Sequence, residues 1–262
     1  MTTMAHRLWG LDSPTMTIDA AHLVVGAEGT VNIPLPGYLI EHEQGLVLFD
    51  TGMNPVVCDD PALLFGDRPE TTMITSRPEQ RIDRQIRKLG FDVTDVTHVI
   101  LSHTHSDHAG GLYLFPQARF YVGPGEFAWS ARPPAEVQHL FFPEEYMSPT
   151  VQSFNWTTVT TPVLDLFGDG AIEIHHFPGH TPGELSALVR LPSQNVVLTG
   201  DTVHLREAVE WTQPDPSDWD HELAKDSVRR LVALTERENA RLWIAHDERD
   251  WADFGGPGVE IK

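Results

Sequence analysis

The sequence predicts an α/β fold whose functional residues gather at one edge of a sheet. Apolar runs with the length and composition of buried strands recur along the 262 residues. Two segments between them, around 78–91 and 217–239, carry apolar residues at helical spacing. A histidine or an aspartate follows several of the strand-like runs directly, and α/β proteins build their sites where strands end.

The first strand-like runs predict a β-hairpin within residues 31–52. The runs GYLIEH and LVLFDTG are separated by a polar turn at Glu43, Gln44 and Gly45, which is the pattern of two antiparallel strands joined by a short loop. Residues 53–77 are rich in proline and aspartate and predict a long loop. Loops of that length in compact domains commonly carry function.

A helix is predicted next, within PEQRIDRQIRKLGF. Ile82, Ile86 and Leu89 fall on one helix face, and Gly90 stands where a C-terminal cap favours glycine. The run VTHVILS then predicts a strand, AGGLYLF the opening of a helix, and ARFYVG a further strand.

The second half of the chain repeats this alternation. Residues 123–160 give no assignment, because Pro133 and Pro134 interrupt the pattern. The runs AIEIHHF, LSALVRL, NVVLTGD and RLWIAHD predict strands. A helix is predicted around 217–239, and its apolar positions are Leu223, Val228, Leu231 and Leu234.

Composition narrows the class of protein. Lys and Arg number 18 against 38 Asp and Glu, a formal charge of −20, which argues against binding to a phosphate backbone. Cys58 is the single cysteine, so disulfides within the chain and zinc–thiolate clusters are excluded. The N-terminal stretch lacks the pattern of an export signal, and the sequence has no apolar run long enough to span a membrane. We therefore expect one cytoplasmic domain over residues 1–262 that binds neither nucleic acid nor membrane.

The stretch HTHSDH places three imidazoles and a carboxylate within six residues, His103, His105, Asp107 and His108. On a helix, His103 and His105 would diverge, and on a strand His108 would face away from the other three. Only a loop that turns back is expected to bring all four together. Composition alone makes this motif improbable, so it predicts a metal site rather than a polar loop.

Three further candidate ligands lie just past strand-like runs. His180 follows IEIHHFPG, Asp201 follows NVVLTG, and His246 follows RLWIA. Taken singly, each has a plain alternative: a turn residue, a helix N-cap and a packed strand-end histidine, respectively. Taken together with HTHSDH, they favour one shared metal site.

These residues, in this order, resemble the signature of the metallo-β-lactamase superfamily: HxHxDH, then a later His, an Asp and a final His. The resemblance spans roughly residues 31–248 and includes LVLFDTG. It implies a four-layer αβ/βα sandwich with the site at one edge between two sheets. It also implies two divalent ions, one held by His103, His105 and His180, the other by Asp107, His108 and His246. Asp201 would bridge them.

Within that superfamily the chain resembles the N-acyl-homoserine lactonases, through GYLIEHEQGLVLFDTGMNP, PEQRIDRQIRKLGF, HVILSHTHSDHAGG and FPGHTPGELSAL. This resemblance implies a small-molecule lactone substrate whose ester ring is opened by a hydroxide held between the ions. Asp107 would carry a proton to the leaving group. Zinc is the first expectation, and iron, cobalt or manganese suit the same nitrogen and oxygen donors. A homodimer is compatible with the sequence.

Some positions near the motif extend or depart from the resemblance. The lactonases carry a tyrosine three residues after the bridging aspartate, as a donor to the substrate carbonyl, and here His204 stands in that place. Imidazole also donates hydrogen bonds, although an ordinary loop histidine is the alternative. Asp50 is the candidate to orient a metal-bound histidine, with a plain turn residue as its alternative. An apolar wall for an acyl chain is expected from Phe65 and from Met73 or the pair 141–142, unless these residues belong to the core.

Other functions remain open at this point. A thioester hydrolase of the glyoxalase II kind, or another carboxylic-ester hydrolase, would use the same ligands, although the former normally adds a cluster of basic residues, in which the C-terminal region is poor. β-Lactam hydrolysis fits less well, because the enzymes with that activity usually lack the bridging Asp. Flavin-linked redox chemistry fits less well too, because those members typically have Glu in the position of His105 and an attached flavin domain. A catalytically silent metal-binding protein with a partner surface at 123–160 is the alternative from another class.

Overall fold

Three β-sheets organise the computed structural model, which describes residues 4–262. The strands are β1 Arg7–Gly10, β2 Thr15–Asp19, β3 Thr30–Pro34, β4 Tyr38–His42, β5 Gly45–Phe49, β6 Ile74–Thr75, β7 Val96–Ile100, β8 Arg119–Val122, β9 Asn155–Thr158, β10 Val163–Asp165, β11 Ile172–His176, β12 Leu185–Arg190, β13 Asn195–Leu198, β14 Ala240–Trp243 and β15 Glu260–Ile261.

Most helices are short and lie between the strands. The α-helices are α1 Val56–Asp59, α2 Ala62–Phe65, α3 Glu70–Met73, α4 Ile82–Lys88, α5 Ser106–Ala109, α6 Glu126–Ser130, α7 Pro143–Tyr146, α8 Pro149–Gln152, α9 Arg206–Trp211, α10 His221–Arg237 and α11 Glu248–Asp253. Single 3₁₀ turns occupy Ala20–His22, Pro78–Gln80, Val93–Asp95, Leu112–Leu114 and Gln138–Leu140.

Two large sheets face each other. One has the strand order β15-β1-β4-β5-β7-β8-β9, the other β10-β11-β12-β13-β14, and a small sheet has the order β3-β2-β6. Side chains alternate along β5, so that Val47 and Phe49 enter the core between the large sheets while Leu46 and Leu48 enter a second core on the outer face.

Helices cover both outer faces. Ile82 and Ile86 of α4 pack with the outer residues of the seven-stranded sheet. Val228 and Leu231 of α10 pack with Leu188 and Val197 on the outer face of the five-stranded sheet. The order helix, sheet, sheet, helix confirms the expected α/β class and the four-layer αβ/βα sandwich.

Several predicted elements are present. The hairpin is β4 and β5, paired antiparallel with His42 opposite Gly45. The predicted helix around 217–239 is α10, which begins after Asp220, whose carboxylate caps the backbone N–H groups of Glu222 and Leu223. Leu223, predicted to be apolar-facing, is 37% exposed.

Two local predictions are wrong. Residues 53–77 form α1, α2, α3 and β6 instead of a long loop. Pro55, Pro61 and Pro69 each directly precede one of these helices, and the φ angle to which the proline ring is restricted suits the start of a helix. AGGLYLF does not open a helix: α5 begins earlier, at Ser106, and residues 112–114 make one 3₁₀ turn.

Two sequence predictions concern an export signal and a membrane-spanning helix. The N-terminal stretch examined for an export signal includes residues 1–3, which lie outside the described residues. Between residues 4 and 262, no helix combines the length and the hydropathy that crossing a membrane requires.

The core between the sheets yields a stability prediction. Leu198, fully buried on β13, lies three residues before Asp201. We expect Leu198→Ala to lower the free energy of unfolding of the metal-free protein by about 2–5 kcal/mol, because the lost contacts leave a cavity. Urea denaturation measures it, and Leu63→Ala, at a position 65% exposed, is the control. Equal midpoints for both variants would contradict this view of the core.

Candidate metal centre

Three of the candidate ligands follow strands that run parallel to a neighbour in their own sheet. His103 follows β7, Asp201 follows β13 and His246 follows β14. β5 and β7 are parallel, as are β13 and β14, so their carboxyl ends reach the same edge. The two large sheets meet there, where the N–H of Leu185 donates to the carbonyl of Ser102 at 3.0 Å.

A single helical turn, rather than a loop alone, reverses the HTHSDH motif. His105 is the N-cap of α5, and Asp107 and His108 lie within that helix. His103 and His105 therefore precede the helix, His105 on extended backbone, while the other two return toward them. The expectation that only a loop achieves this was wrong, because one turn of helix is enough to change the direction of the side chains.

Ligand atoms of the candidate residues form clusters within 4.8 Å of one another. The first cluster contains His103, His105, His180 and Asp201; the second contains Asp107, His108 and His246; a third grouping contains Asp201, His204 and His246. The structure thus brings together all the residues that the sequence selected, and the first two clusters follow the division that the resemblance implied.

Asp201 faces both clusters, one carboxylate oxygen toward each. Its Oδ2 lies 3.6 Å from Nε2 of His103 and 3.6 Å from Nε2 of His180. Its Oδ1 lies 3.3 Å from Nε2 of His108 and 3.1 Å from Nε2 of His246. This is the geometry that a carboxylate bridge between two ions requires.

The spacing and the hydrogen bonding of these atoms fit divalent metals. Ligands about 2.0–2.1 Å from a tetrahedral ion lie about 3.3 Å apart, which matches the 3.1–3.6 Å separations around Asp201. Within residues 4–262, Nε2 of His103, Nε2 of His108 and Oδ1 of Asp201 are buried with no hydrogen-bond partner. Buried polar atoms are rarely left so, and their lone pairs converge where ions would bind.

Groups behind the ligands fix the histidine rings. Nδ1 of His108 lies 2.8 Å from Oδ2 of Asp50, so Asp50 occupies the orienting position expected from the sequence. Nδ1 of His180 lies 2.8 Å from Oδ1 of Asp218. Such partners select the tautomer whose Nε2 lone pair is free.

Two further contacts were not foreseen from the sequence. His246 donates from Nδ1 to the carbonyl of Pro34 at 2.7 Å. Glu126, 1% exposed, accepts from both the N–H and the hydroxyl of Thr104, between two ligands, at 2.8 and 2.6 Å. These partners are remote in sequence and belong to no motif. The sequence carried a signal only for Asp218, the partner of His180, which lies in the acidic stretch PDPSDWD.

Burial and charge set the protonation of the ligands. Burial lowers the pKa of His103 and of His105 well below the ordinary value, so both imidazoles are neutral, the form that binds metals. Burial raises the pKa of Asp201, but the surrounding histidines, His108 first, outweigh it and hold that pKa well below its usual range. The carboxylate of Asp201 is therefore ionised.

His204 lies beside the bridge. Its Nε2 is 3.1 Å from Oδ2 of Asp201 and 3.5 Å from Oδ2 of Asp215. Burial lowers its pKa, but the carboxylates of Asp201 and Asp215 outweigh burial and raise that pKa to about 9. The structure thus places this residue at the site as a hydrogen-bond donor, rather than in a remote loop.

A cavity of about 520 Å³ opens onto these residues. Its apolar wall includes the expected Phe65 and Met73, and also Met16 and Ile18 of β2, a strand that sequence patterns did not reveal. Phe142 packs edge-on against Phe65, with ring centroids 5.5 Å apart. The polar end of the cavity is lined by His105, Asp107, His180, Asp201, His204 and His246.

Comparisons with known proteins agree with this geometry. A family model described as the metallo-beta-lactamase superfamily matches residues 37–238. The N-acyl homoserine lactonase AttM of Agrobacterium fabrum is 29% identical over 256 residues, covering 95% of each chain. The N-acyl homoserine lactonase AiiA of Bacillus thuringiensis subsp. kurstaki is 28% identical over 220 residues, covering 83% of this chain and 82% of that one.

Solved structures show the same fold. A crystal structure of a B. thuringiensis AiiA variant with N-decanoyl-L-homoserine bound superposes with a TM-score of 0.85 at 23% identity, covering 99% of this chain and 100% of that chain. AidC, a dizinc quorum-quenching lactonase, superposes with a TM-score of 0.68 at 16% identity, covering 94% and 90%.

The two-sided contact of Asp201 yields a prediction about metal content. We expect Asp201→Asn to reduce the content from two ions per chain to one or none, because an amide offers a single neutral oxygen in place of two charged ones. Elemental analysis after dialysis measures it. Asp165→Asn, in which the altered carboxylate caps the turn at Gly168 and Gly170, is the control. Full occupancy in Asp201→Asn would exclude the bridge.

Proposed function

Because the chain belongs to the metallo-β-lactamase superfamily, we propose that it is a two-metal hydrolase that opens the ester ring of N-acyl-homoserine lactones. The observation that carries the proposal is Asp201, whose two oxygens face two clusters of nitrogen and carboxylate donors at the end of an apolar cavity. Both large sheets contribute ligands, so we propose that residues 4–262 act as one hydrolase domain.

The donor set favours particular ions. We propose that His103, His105 and His180 hold one ion and that Asp107, His108 and His246 hold the other. Zinc suits these donors, and iron, cobalt and manganese are compatible with them. When bound, such ions polarise an ester carbonyl and lower the pKa of water toward neutrality. The cytoplasmic location and the homodimer stay predictions.

Asp107 is the ligand placed to move a proton. Its side chain is 21% exposed, whereas those of His108 and His246 are 1% and 2% exposed. It lines the cavity, and its Oδ2 lies 3.5 Å from Nε2 of His108 and 3.6 Å from Nε2 of His246. We propose that Asp107 takes the proton of the attacking water and gives it to the ring oxygen that leaves.

His204 is placed to bind the substrate carbonyl. Its side chain lines the cavity, and its ring stacks on the ring of His246 with centroids 5.6 Å apart. Its Nε2 lies at the polar end of the cavity, within 3.5 Å of the carboxylates of Asp201 and Asp215. An imidazole in this position donates to an oxygen that gains negative charge during attack, which is the donor role of the lactonases' tyrosine.

The lining of the cavity favours a neutral, partly apolar substrate. Among the described residues, the lining includes no Lys or Arg, and its acidic members are Glu70, Asp107, Glu136, Asp201 and Asp215. An anionic thioester of the glutathione kind needs basic partners, so the glyoxalase II-like alternative is disfavoured. The apolar wall at Met16, Ile18, Phe65 and Met73 suits an acyl chain.

A substrate panel tests the function directly. With two ions bound, we expect turnover of N-acyl-homoserine lactones in a pH-indicator assay, faster with a decanoyl than with a butanoyl chain because the cavity wall is apolar. Metal removal by a chelator should abolish it, and zinc should restore it. Turnover of an S-acyl glutathione without lactone turnover would replace the lactonase by a thioester hydrolase. Two bound ions with no turnover on any substrate would indicate a silent metal-binding protein.

Variants at position 204 test whether His204 acts through its hydrogen-bond donor or through the bulk of its ring. We expect His204→Ala to lower kcat/KM for lactones roughly 100-fold, because a hydrogen bond to the developing oxyanion is lost, while metal content stays at the wild-type value. His204→Tyr should regain much of the activity and His204→Phe should not. His6→Ala, at an exposed position, is the control. Wild-type rates in His204→Ala would remove this residue from the reaction.

A further inference from the structure

Glu184 is a carboxylate enclosed between two of the ligands. Its side chain is 0% exposed. Oε1 accepts a hydrogen bond from the backbone N–H of Asp201 at 2.9 Å. Oε2 lies 3.3 Å from Nδ1 of His103 and has no hydrogen-bond partner among the residues that the structure describes. One buried side chain therefore contacts the ligands that follow β7 and β13, from its own place at the start of β12.

We propose that Glu184 is a positioning residue of the metal centre. It holds the ring of His103 with Nε2 directed at the ion, and it holds the backbone of Asp201 so that the bridging carboxylate faces both clusters. The inference rests on the two-metal function proposed above. It gives a role to a carboxylate that acts through two ligands rather than by binding an ion.

The chemistry of a carboxylate explains the first half of this role. A carboxylate oxygen that carries no proton accepts hydrogen bonds and donates none. Oε2 faces Nδ1 of His103 at 3.3 Å without a hydrogen bond in this structure; on the proposal it would accept from this nitrogen when an ion is bound at Nε2, keeping the proton on Nδ1 and the Nε2 lone pair free for the metal. That Nε2 lies 3.6 Å from Oδ2 of Asp201, in the first cluster. Asp50 and Asp218 hydrogen-bond with Nδ1 of His108 and of His180 at 2.8 Å, closer contacts than that of Glu184 with His103.

The chain leaves room for this carboxylate. A Cβ atom at position 200 would come within 2.4 Å of Oε1 of Glu184, and Gly200 has a φ of 54°. Glycine there permits both the left-handed backbone and the close approach. The glycine and Glu184 together set the direction in which the chain enters Asp201.

Ser102 is the rival partner of the same ring. Its Oγ lies 3.0 Å from Nδ1 of His103 and also 3.3 Å from Nδ1 of His108. A hydroxyl both donates and accepts, so it does not select a tautomer. If the hydroxyl were the controlling partner, its removal rather than that of the carboxylate would weaken metal binding.

The test is Glu184→Gln, measured as metal affinity rather than activity. The amide keeps the shape but accepts through one atom only. It therefore either loses the Asp201 N–H or presents an N–H donor to His103. We expect the zinc dissociation constant, from competition with a chromophoric chelator, to rise about 10- to 100-fold. With cobalt in place of zinc, the visible absorption of the substituted protein should change, because the His103 ring leaves its position.

Two controls separate this role from general effects. Glu173→Gln removes an equal charge from β11, where the carboxylate pairs with Arg190 and His175, and should leave zinc affinity unchanged. Ser102→Ala removes the hydroxyl that contacts Nδ1 of His103 and should lower zinc affinity less than Glu184→Gln does. A large loss in Ser102→Ala with wild-type affinity in Glu184→Gln would overturn the proposal in favour of the hydroxyl.

The remaining outcomes are also decisive. Fewer than two ions in the wild-type protein would defeat the two-metal function itself, whereas two ions in wild type with unchanged affinity in Glu184→Gln would defeat only the role of Glu184. Should Glu184→Gln fail to fold, as judged by metal-free urea denaturation, Glu184→Asp takes its place. The shorter carboxylate does not span both contacts, so its affinity should also fall, and a wild-type value would contradict the proposal.

Discussion

The carboxylate of Asp201 is the contact on which the rest of the site depends. It follows β13 of the five-stranded sheet, yet its two oxygens face histidines that follow strands of both large sheets. The carboxyl ends of strands in the two sheets must therefore lie close enough for one aspartate side chain to contact residues that follow both. The interleaved core between them, with Val47, Phe49 and Leu198 fully buried, supplies that rigidity. Packing at a distance from the site thus fixes where the ligand atoms lie.

This arrangement opposes stability in the metal-free chain. Each buried polar atom without a partner destabilises the fold by about 1–3 kcal/mol, and several such atoms converge here, including Nε2 of His103 and Oδ1 of Asp201. Carboxylates behind the rings, such as Asp50 and Asp218, hold the histidines in the geometry an ion needs. Cations bound at these atoms would supply the missing partners, so we expect metal binding to be coupled to folding. We expect the metal-free protein to be the less stable form for this reason.

The sequence identified the candidate ligands, which the structure brings together, better than their surroundings. HTHSDH and the residues after later strands were identifiable because ligand spacing and strand ends are local patterns. The single turn at Ser106–Ala109 was not, because one turn of helix has too few residues to show a period. Glu126 and Glu184 were missed for another reason: their partners, Thr104 and His103, are remote in sequence, and a lone buried glutamate leaves no pattern.

The two ends of the cavity differ in the same way in how clearly the sequence predicts them. The metal end of the cavity is built from a dense motif, whereas the apolar end is built from β2 and from short helices such as α2 and α3, each with weak local signals. Short elements held by tertiary contacts can change sequence and length without moving the strand ends that carry the ligands. Chemistry at Asp201 is therefore constrained by both sheets, while the wall that meets an acyl chain is free to vary. His204 lies at the boundary, against both Asp201 and the cavity, so we expect a change there to affect which substrates bind productively.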